Sequence, residues 1–240
     1  MAVSTGWNYA DVWERVAEQF PNAMALAHGA TEVTWADFDR RADGIAMALL
    51  DAGLGRQDKV AQYMRNRPEY LESMFGCFKV GLVPVNTNYR YTGDELVHLW
   101  TDSDAAAVVF DAEFTELCDA VRPKVPAVKL WLRVGRDSDC PDWAMAYEHA
   151  ARSSTAQRVR ASWPRTGDDL YLLYTGGTTG LPKGVMWRQD DLFRMLESGR
   201  GDFARGDADA AAWVERLKGA DPAVLQAPPG AGKTTRVPLD

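Results

Sequence analysis

Apolar positions along this chain switch repeatedly between a helical and a strand period. From Tyr9 to Gln19, Val12, Val16 and Ala17 fall at helical intervals, and Phe20–Pro21 closes the run because proline disfavours helix in the residue before it. Met24 to His28 and Glu32 to Thr34 flank Gly29 and predict a small hairpin. Thr34 followed by Asp37 matches a capping box with the shorter acid, and it opens a helix through Leu50 whose apolar face holds Phe38, Ala42, Ile45, Ala46 and Leu49. Gly53 stops that helix. Lys59 to Met64 then reads as a strand, Pro68 to Val80 as a helix and Leu82 to Val85 as a strand.

Thr92, with Glu95 three residues on, opens a helix through Trp100. A strand at Ala105 to Phe110, a helix at Glu113 to Val121 and a strand at Val128 to Val134 continue the alternation. Such a series predicts an α/β fold with a mainly parallel sheet and helices packed on its faces. Ser138 to Pro164 is less regular, with a short helix expected at Trp143 to Ala151 and the polar connection SSTAQR after it; a surface excursion accounts for it without any function. Tyr171 to Tyr174 suits a buried strand that delivers the next stretch to a sheet edge. Met186 and Trp187 read as anchoring packing, Asp190 to Glu197 as a short helix, Ser198 to Asp209 as an exposed loop, Ala210 to Lys218 as a helix and Ala223 to Gln226 as a short strand.

The stretch YLLYTGGTTGLPKG, Tyr171 to Gly184, carries the chemistry. Gly176, Gly177 and Gly180 permit close backbone approaches, so successive N–H groups can converge on an anion. Hydroxyls of Thr175, Thr178 and Thr179 supply further donors, and Lys183 supplies a mobile positive charge. Pro182 stiffens the turn and lowers the entropy lost on closing around a ligand. The pattern is that of a phosphate cradle, and a plain linker has no need of these residues in this order. Lys183 lies between Pro182 and Gly184, which excludes the Walker arrangement at this place.

Thr-Gly-Gly-Thr-Thr-Gly-Leu-Pro-Lys-Gly resembles the signature loop of the adenylate-forming (AMP-binding) superfamily, which holds acyl-CoA synthetases, luciferases and peptide-synthetase adenylation domains. The usual loop has serine where this chain has Gly176, so one hydroxyl is missing while the backbone donors remain. PVNTNYRYTGDEL adds to the resemblance, since similar words stand between the early strands and the loop in that family. It implies a two-step reaction: a carboxylic or fatty acid attacks the α-phosphate of ATP to give an acyl-adenylate and pyrophosphate, then coenzyme A displaces AMP. It implies Mg²⁺ as well, and places Thr175, Gly176, Gly177, Thr178, Thr179 and Lys183 on the β- and γ-phosphates. Tyr-x-Thr-Gly-Asp wording marks a ribose-binding aspartate in the family, but there it follows the loop. The similar YTGDE at Tyr91 to Glu95 precedes the loop, and the Thr92–Glu95 cap explains every residue, so Asp94 is rejected as a ribose ligand.

Composition narrows the remaining choices. At 240 residues the chain exceeds a typical single domain, and 46% hydrophobic with 25% charged residues is ordinary for a globular protein. A net charge of −7 and a pI near 5.1 argue against a general nucleic-acid or anionic-membrane surface. Cys77, Cys118 and Cys140 are odd in number and far apart, so they read as buried or idle thiols rather than disulfides or zinc ligands. His28, His98 and His149 have no nucleophile at a recognisable spacing and read as packing or surface residues. With no basic, apolar leader and no run of about 18 apolar residues, a cytoplasmic protein without a membrane span is expected.

APPGAGKT, Ala227 to Thr234, fits the Walker pattern through Gly230, Gly232, Lys233 and Thr234. Only five residues follow Thr235, too few for the helix whose N-terminus such a loop needs. VLQAPPGAGKTTRVPL resembles the first motif of ATP-dependent helicases, and Ala227–Pro229 is wording that the synthetases share. The resemblances imply a partial AMP-binding domain over residues 8–226, the incomplete N-terminal domain of an adenylate-forming enzyme, joined to a foreign or helicase-like tail over 227–240. The family's Mg²⁺-binding glutamate motif, adenine and ribose contacts, hinge and C-terminal lysine have no counterpart here, so little or no ligase activity is expected. A P-loop NTPase fragment and a non-catalytic remnant are the alternative readings.

Overall fold

Helix α1, Tyr9–Gln19, starts where the Asn8 side chain accepts a hydrogen bond from the Ala10 N–H, and it buries Val12, Val16 and Ala17 as its spacing predicts. The structure is a computed structural model that describes residues 6–153, 157–175 and 182–198. Strands β1, Met24–His28, and β2, Thr31–Thr34, form the expected antiparallel hairpin, turned at Gly29 with φ +61°. Helix α2, Trp35–Asp51, is capped by the Thr34 hydroxyl, which accepts from the Asp37 N–H at 3.2 Å and donates to the Asp37 carboxylate at 3.1 Å. Its whole expected apolar face is buried.

The sheet then builds by crossover. Strands β3 (Lys59–Tyr63), β4 (Val83–Thr87), β5 (Ala105–Asp111), β6 (Leu130–Val134) and β7 (Met145–Ala146) alternate with helices α3 (Pro68–Lys79), α4 (Gly93–Asp102) and α5 (Thr115–Val121). Helix α6, Tyr147–Arg152, strands β8 (Leu170–Thr175) and β9 (Lys183–Arg188), and helix α7 (Gln189–Ser198) complete the order. The seven strands stand as β7-β6-β5-β3-β4-β8-β9, with every pairing parallel except β8 with β9. Strands β3 and β5 are buried along nearly their whole length, as a sheet covered on both faces requires. One apolar cluster under α2 and α6 covers one face, and a second, with Leu96, Leu99 and Trp100 of α4 and Cys118 and Val121 of α5, covers the other.

The structure changes or completes several readings of the sequence. Residues 143–151 are not one helix: Met145–Ala146 pairs with β6, and only the six residues of α6 are helical. The 138–164 excursion runs over the surface as expected but is tied down by ion pairs from its own Arg158 and Arg160 and from Arg165 just beyond it. Arg158, Arg160 and Arg165 reach back to Asp39, Glu14 and Asp11, because a helical layer that buries Glu14 and Lys79 must supply those charges with partners. Residues 183–188, to which the sequence reading gives no element, form strand β9 and pair in register with β8. Met186 is 69% exposed rather than packed, and Val185 beside it is 41% exposed, because β9 is an edge strand among the described residues. The predicted elements at Ser198–Asp209, Ala210–Lys218 and Ala223–Gln226, apart from Ser198 at the end of α7, lie outside the described residues.

Candidate phosphate-binding site

Strand β8 runs parallel to β4, so Thr175 at its end emerges at the carboxyl edge of the parallel strands. Ligands of open α/β sheets bind at that edge. Strand β9 returns antiparallel, with Thr175 opposite Lys183 and Tyr174 opposite Gly184. Thr175 and Lys183, the two loop ends, are therefore register partners, and both residues are exposed. Gly176, Gly177, Thr178 and Thr179 lie outside the described residues, as do Gly230, Gly232, Lys233 and Thr234.

The end of β8 is held from three directions. The Asn86 side-chain amide takes both backbone groups of Tyr174: its oxygen accepts from the Tyr174 N–H at 2.6 Å, and its nitrogen donates to the Tyr174 carbonyl at 3.3 Å. Direct β4–β8 pairing is in register at Val85↔Leu172 and Asn86↔Leu173, so the side chain extends the junction by one residue. The Tyr174 hydroxyl donates to the Asp102 carboxylate at 2.6 Å. Burial pushes the Tyr174 phenol above its ordinary range and the bond to Asp102 adds to the shift, so the hydroxyl stays a neutral donor. Finally, the Tyr174 ring lies over Gly184, where an added Cβ would stand 3.0 Å from two ring carbons. At the other end of β8, Asp169 is fully buried and accepts from the Thr166 N–H at 2.8 Å, Arg56 at 3.1 Å and Gln57 at 3.2 Å. Burial raises its pKa while those bonds oppose the rise.

Neighbouring features add no second chemistry. Asp94 is fully exposed and stands 3.9 Å from Lys124, while Thr92 and Glu95 form the expected capping box. Burial pushes the Cys77 and Cys118 thiols up, as inert core cysteines require. His28 and His149 are exposed and His98 is half-buried. A cleft of about 380 Å³ between β2, α2 and α3 draws none of its lining from β8 or β9. Its arginines are all paired with acids: Arg40 with Asp37, Arg41 with Glu72 at 2.8 Å and Glu148 at 2.6 Å, and Arg67 with Glu69 and Asp111. Among the described residues no group of three or more His, Cys, Asp or Glu could hold a metal ion, so the Mg²⁺ that the resemblance implies has no ligand set assigned among them. No helix among the described residues is long and apolar enough to cross a membrane.

Asn86, Asp102 and Asp169 were not singled out from the sequence. For Asn86 the signal was a lone amide inside the apolar run VPVNT, since a buried polar side chain needs a partner. Asp102 left no local signal, because its partner is 72 residues away, and the short Thr166–Asp169 turn gives no hint of Arg56 and Gln57, 113 and 112 residues away.

Comparison with known proteins shows the family and the fold. The family described as "AMP-binding enzyme" matches residues 13–217. The chain is 39% identical to the medium/long-chain-fatty-acid–CoA/3-oxocholest-4-en-26-oate–CoA ligase of Mycobacterium marinum, over 83% of this chain and 37% of that protein. It is 37% identical to the 3-oxocholest-4-en-26-oate–CoA ligase of Rhodococcus rhodochrous, over 89% of this chain and 39% of that protein. Thus it spans less than two-fifths of the length of either relative. The fold is similar to that of the anthranilate CoA ligase AuaEII in complex with anthranoyl-AMP, with a TM-score of 0.73 at 23% identity over 81% of this chain and 37% of that one. The family match ends ahead of Ala227–Thr234 and the named relatives are ligases, so nothing here supports the P-loop NTPase reading.

Proposed function

Because the chain belongs to the AMP-binding enzyme family, we propose that its β8–β9 hairpin binds the phosphates of ATP for the activation of a carboxylic acid. The observation that carries this reading is the pairing of Thr175 with Lys183 at the carboxyl edge of the sheet. Residues bearing a hydroxyl and an ammonium, opposite each other there, suit an anion whose charge grows as the acid attacks the α-phosphate. Thr175 and Lys183 contact the β- and γ-phosphates in this reading, and Gly176, Gly177, Thr178 and Thr179 join them through N–H and hydroxyl donors. The family chemistry then gives an acyl-adenylate and pyrophosphate, and coenzyme A takes the acyl group. Fatty acids are the favoured substrate class, because the related ligases are named for fatty-acid and steroid-acid substrates.

An ATP analogue carrying a photoreactive group on its γ-phosphate tests the reading. The expected result is labelling within the peptide from Leu170 to Arg188, competed by unmodified ATP. Competed labelling confined to another peptide overturns it.

A further inference from the structure

We propose that Asn86 is a positioning residue for the phosphate loop, acting through the backbone of Tyr174; this rests on the ATP reading of the β8–β9 hairpin. A strand end that leads into a binding loop is ordinarily free to fray, because its last N–H and C=O groups have run out of ladder partners. Here one amide side chain replaces the missing partner strand, accepting at 2.6 Å and donating at 3.3 Å on the same residue. Asn86 can do this because its amide carries an acceptor and a donor side by side, the arrangement of a peptide group. The residue it holds, Tyr174, immediately precedes Thr175 and faces Gly184 across the hairpin. The Tyr174 ring is fixed independently by Asp102 at 2.6 Å. Backbone and side chain of one residue are thus held separately, and the direction in which Thr175 leaves the sheet follows from both.

The clamp is separable from the core. Leu172 and Tyr174 bury their side chains without Asn86, and the β4–β8 register is already set at Val85↔Leu172. Losing the amide therefore frees the loop base more than it weakens the fold.

The test uses the 240-residue chain with Asn86→Ala and Asn86→Asp, the aspartate keeping the acceptor toward the Tyr174 N–H and losing the donor. Amide hydrogen exchange, Mg·ATP binding and thermal melting are measured on each. In Asn86→Ala, exchange at Tyr174 and Thr175 rises about tenfold and ATP affinity falls about tenfold, with a small change in melting temperature. Asn86→Asp recovers part of both. Unchanged exchange at Tyr174 overturns the proposal, and so does faster exchange with unaltered ATP affinity. An unsubstituted chain that binds no ATP contradicts the nucleotide reading instead, and the exchange comparison then decides alone whether Asn86 holds the loop base.

Discussion

Thr175 and Lys183 stand directly opposite each other across the antiparallel pair β8–β9. Seven residues separate them in the chain, yet the sheet sets the residue with the loop's first hydroxyl opposite the residue with its cation. The pairing depends on the closeness of Tyr174 and Gly184, one step further into the hairpin.

Gly184→Ala tests that closeness. The new Cβ would meet Tyr174 Cε2 and Cζ at 3.0 Å, and the ring cannot yield freely while its hydroxyl is bonded to Asp102. A loss of about 1 kcal/mol in stability is expected from denaturant unfolding, together with weaker ATP binding. The same substitution made on a Tyr174→Leu background adds almost nothing, because the clash has gone.

A second close contact fixes the helical layer. At Gly44 in α2 an added Cβ would lie 2.3 Å from the Ala150 carbonyl oxygen and 2.8 Å from that of Ala151, both backbone atoms of α6. No side-chain rotation relieves this, so Gly44→Ala pushes α2 from α6 and costs about 3 kcal/mol by urea unfolding. Gly76→Ala is milder, since its tightest contact is 3.0 Å.

Glu14 governs the acid limb of stability. It is buried with Lys79 at 3.2 Å, Arg160 at 2.7 Å and Arg165 at 2.6 Å. Burial alone would raise its pKa, but hydrogen bonds from Arg165 and Arg160 and the charges of Arg165 and Lys79 outweigh it and hold the carboxyl well below its ordinary 4.5. A depressed acid stabilises the fold above its unfolded pKa and loses that contribution as pH falls toward the folded value. Glu14→Gln should cost about 3 kcal/mol at neutral pH, since it leaves buried and partly buried cations short of a partner. The gap between the two proteins stays constant above about pH 5 and narrows as the pH falls further, as unfolding midpoints at a series of pH values would show.

Much of the fold was legible because its determinants are local. Val12, Val16 and Ala17 mark α1 by spacing alone, and Thr34 marks the start of α2 by the bond it makes three residues on. Gly29 and the Thr92–Glu95 box were equally readable. What stayed hidden depends on partners far along the chain. Strand β9 is a strand because β8 lies beside it, and its exposed Val185 and Met186 give no clean alternation. Arg158 and Arg160 read only as part of the 138–164 excursion because their partners, Asp39 and Glu14, are more than a hundred positions away. In the candidate site the loop was legible from residue types, since an anion cradle needs glycines, hydroxyls and a cation together. Its support was not, because Asn86 meets Tyr174 only after the sheet has formed.

The most direct measurement of the central claim is an equilibrium titration of Mg·ATP against the 240-residue chain, Lys183→Ala and Lys233→Ala. Lys183 is exposed at the head of β9, so its removal should leave the melting temperature unchanged. The account predicts that the unsubstituted chain binds ATP, that Lys183→Ala weakens binding about tenfold or more through loss of a charged phosphate contact, and that Lys233→Ala binds normally. Full binding by Lys183→Ala with loss in Lys233→Ala would contradict it.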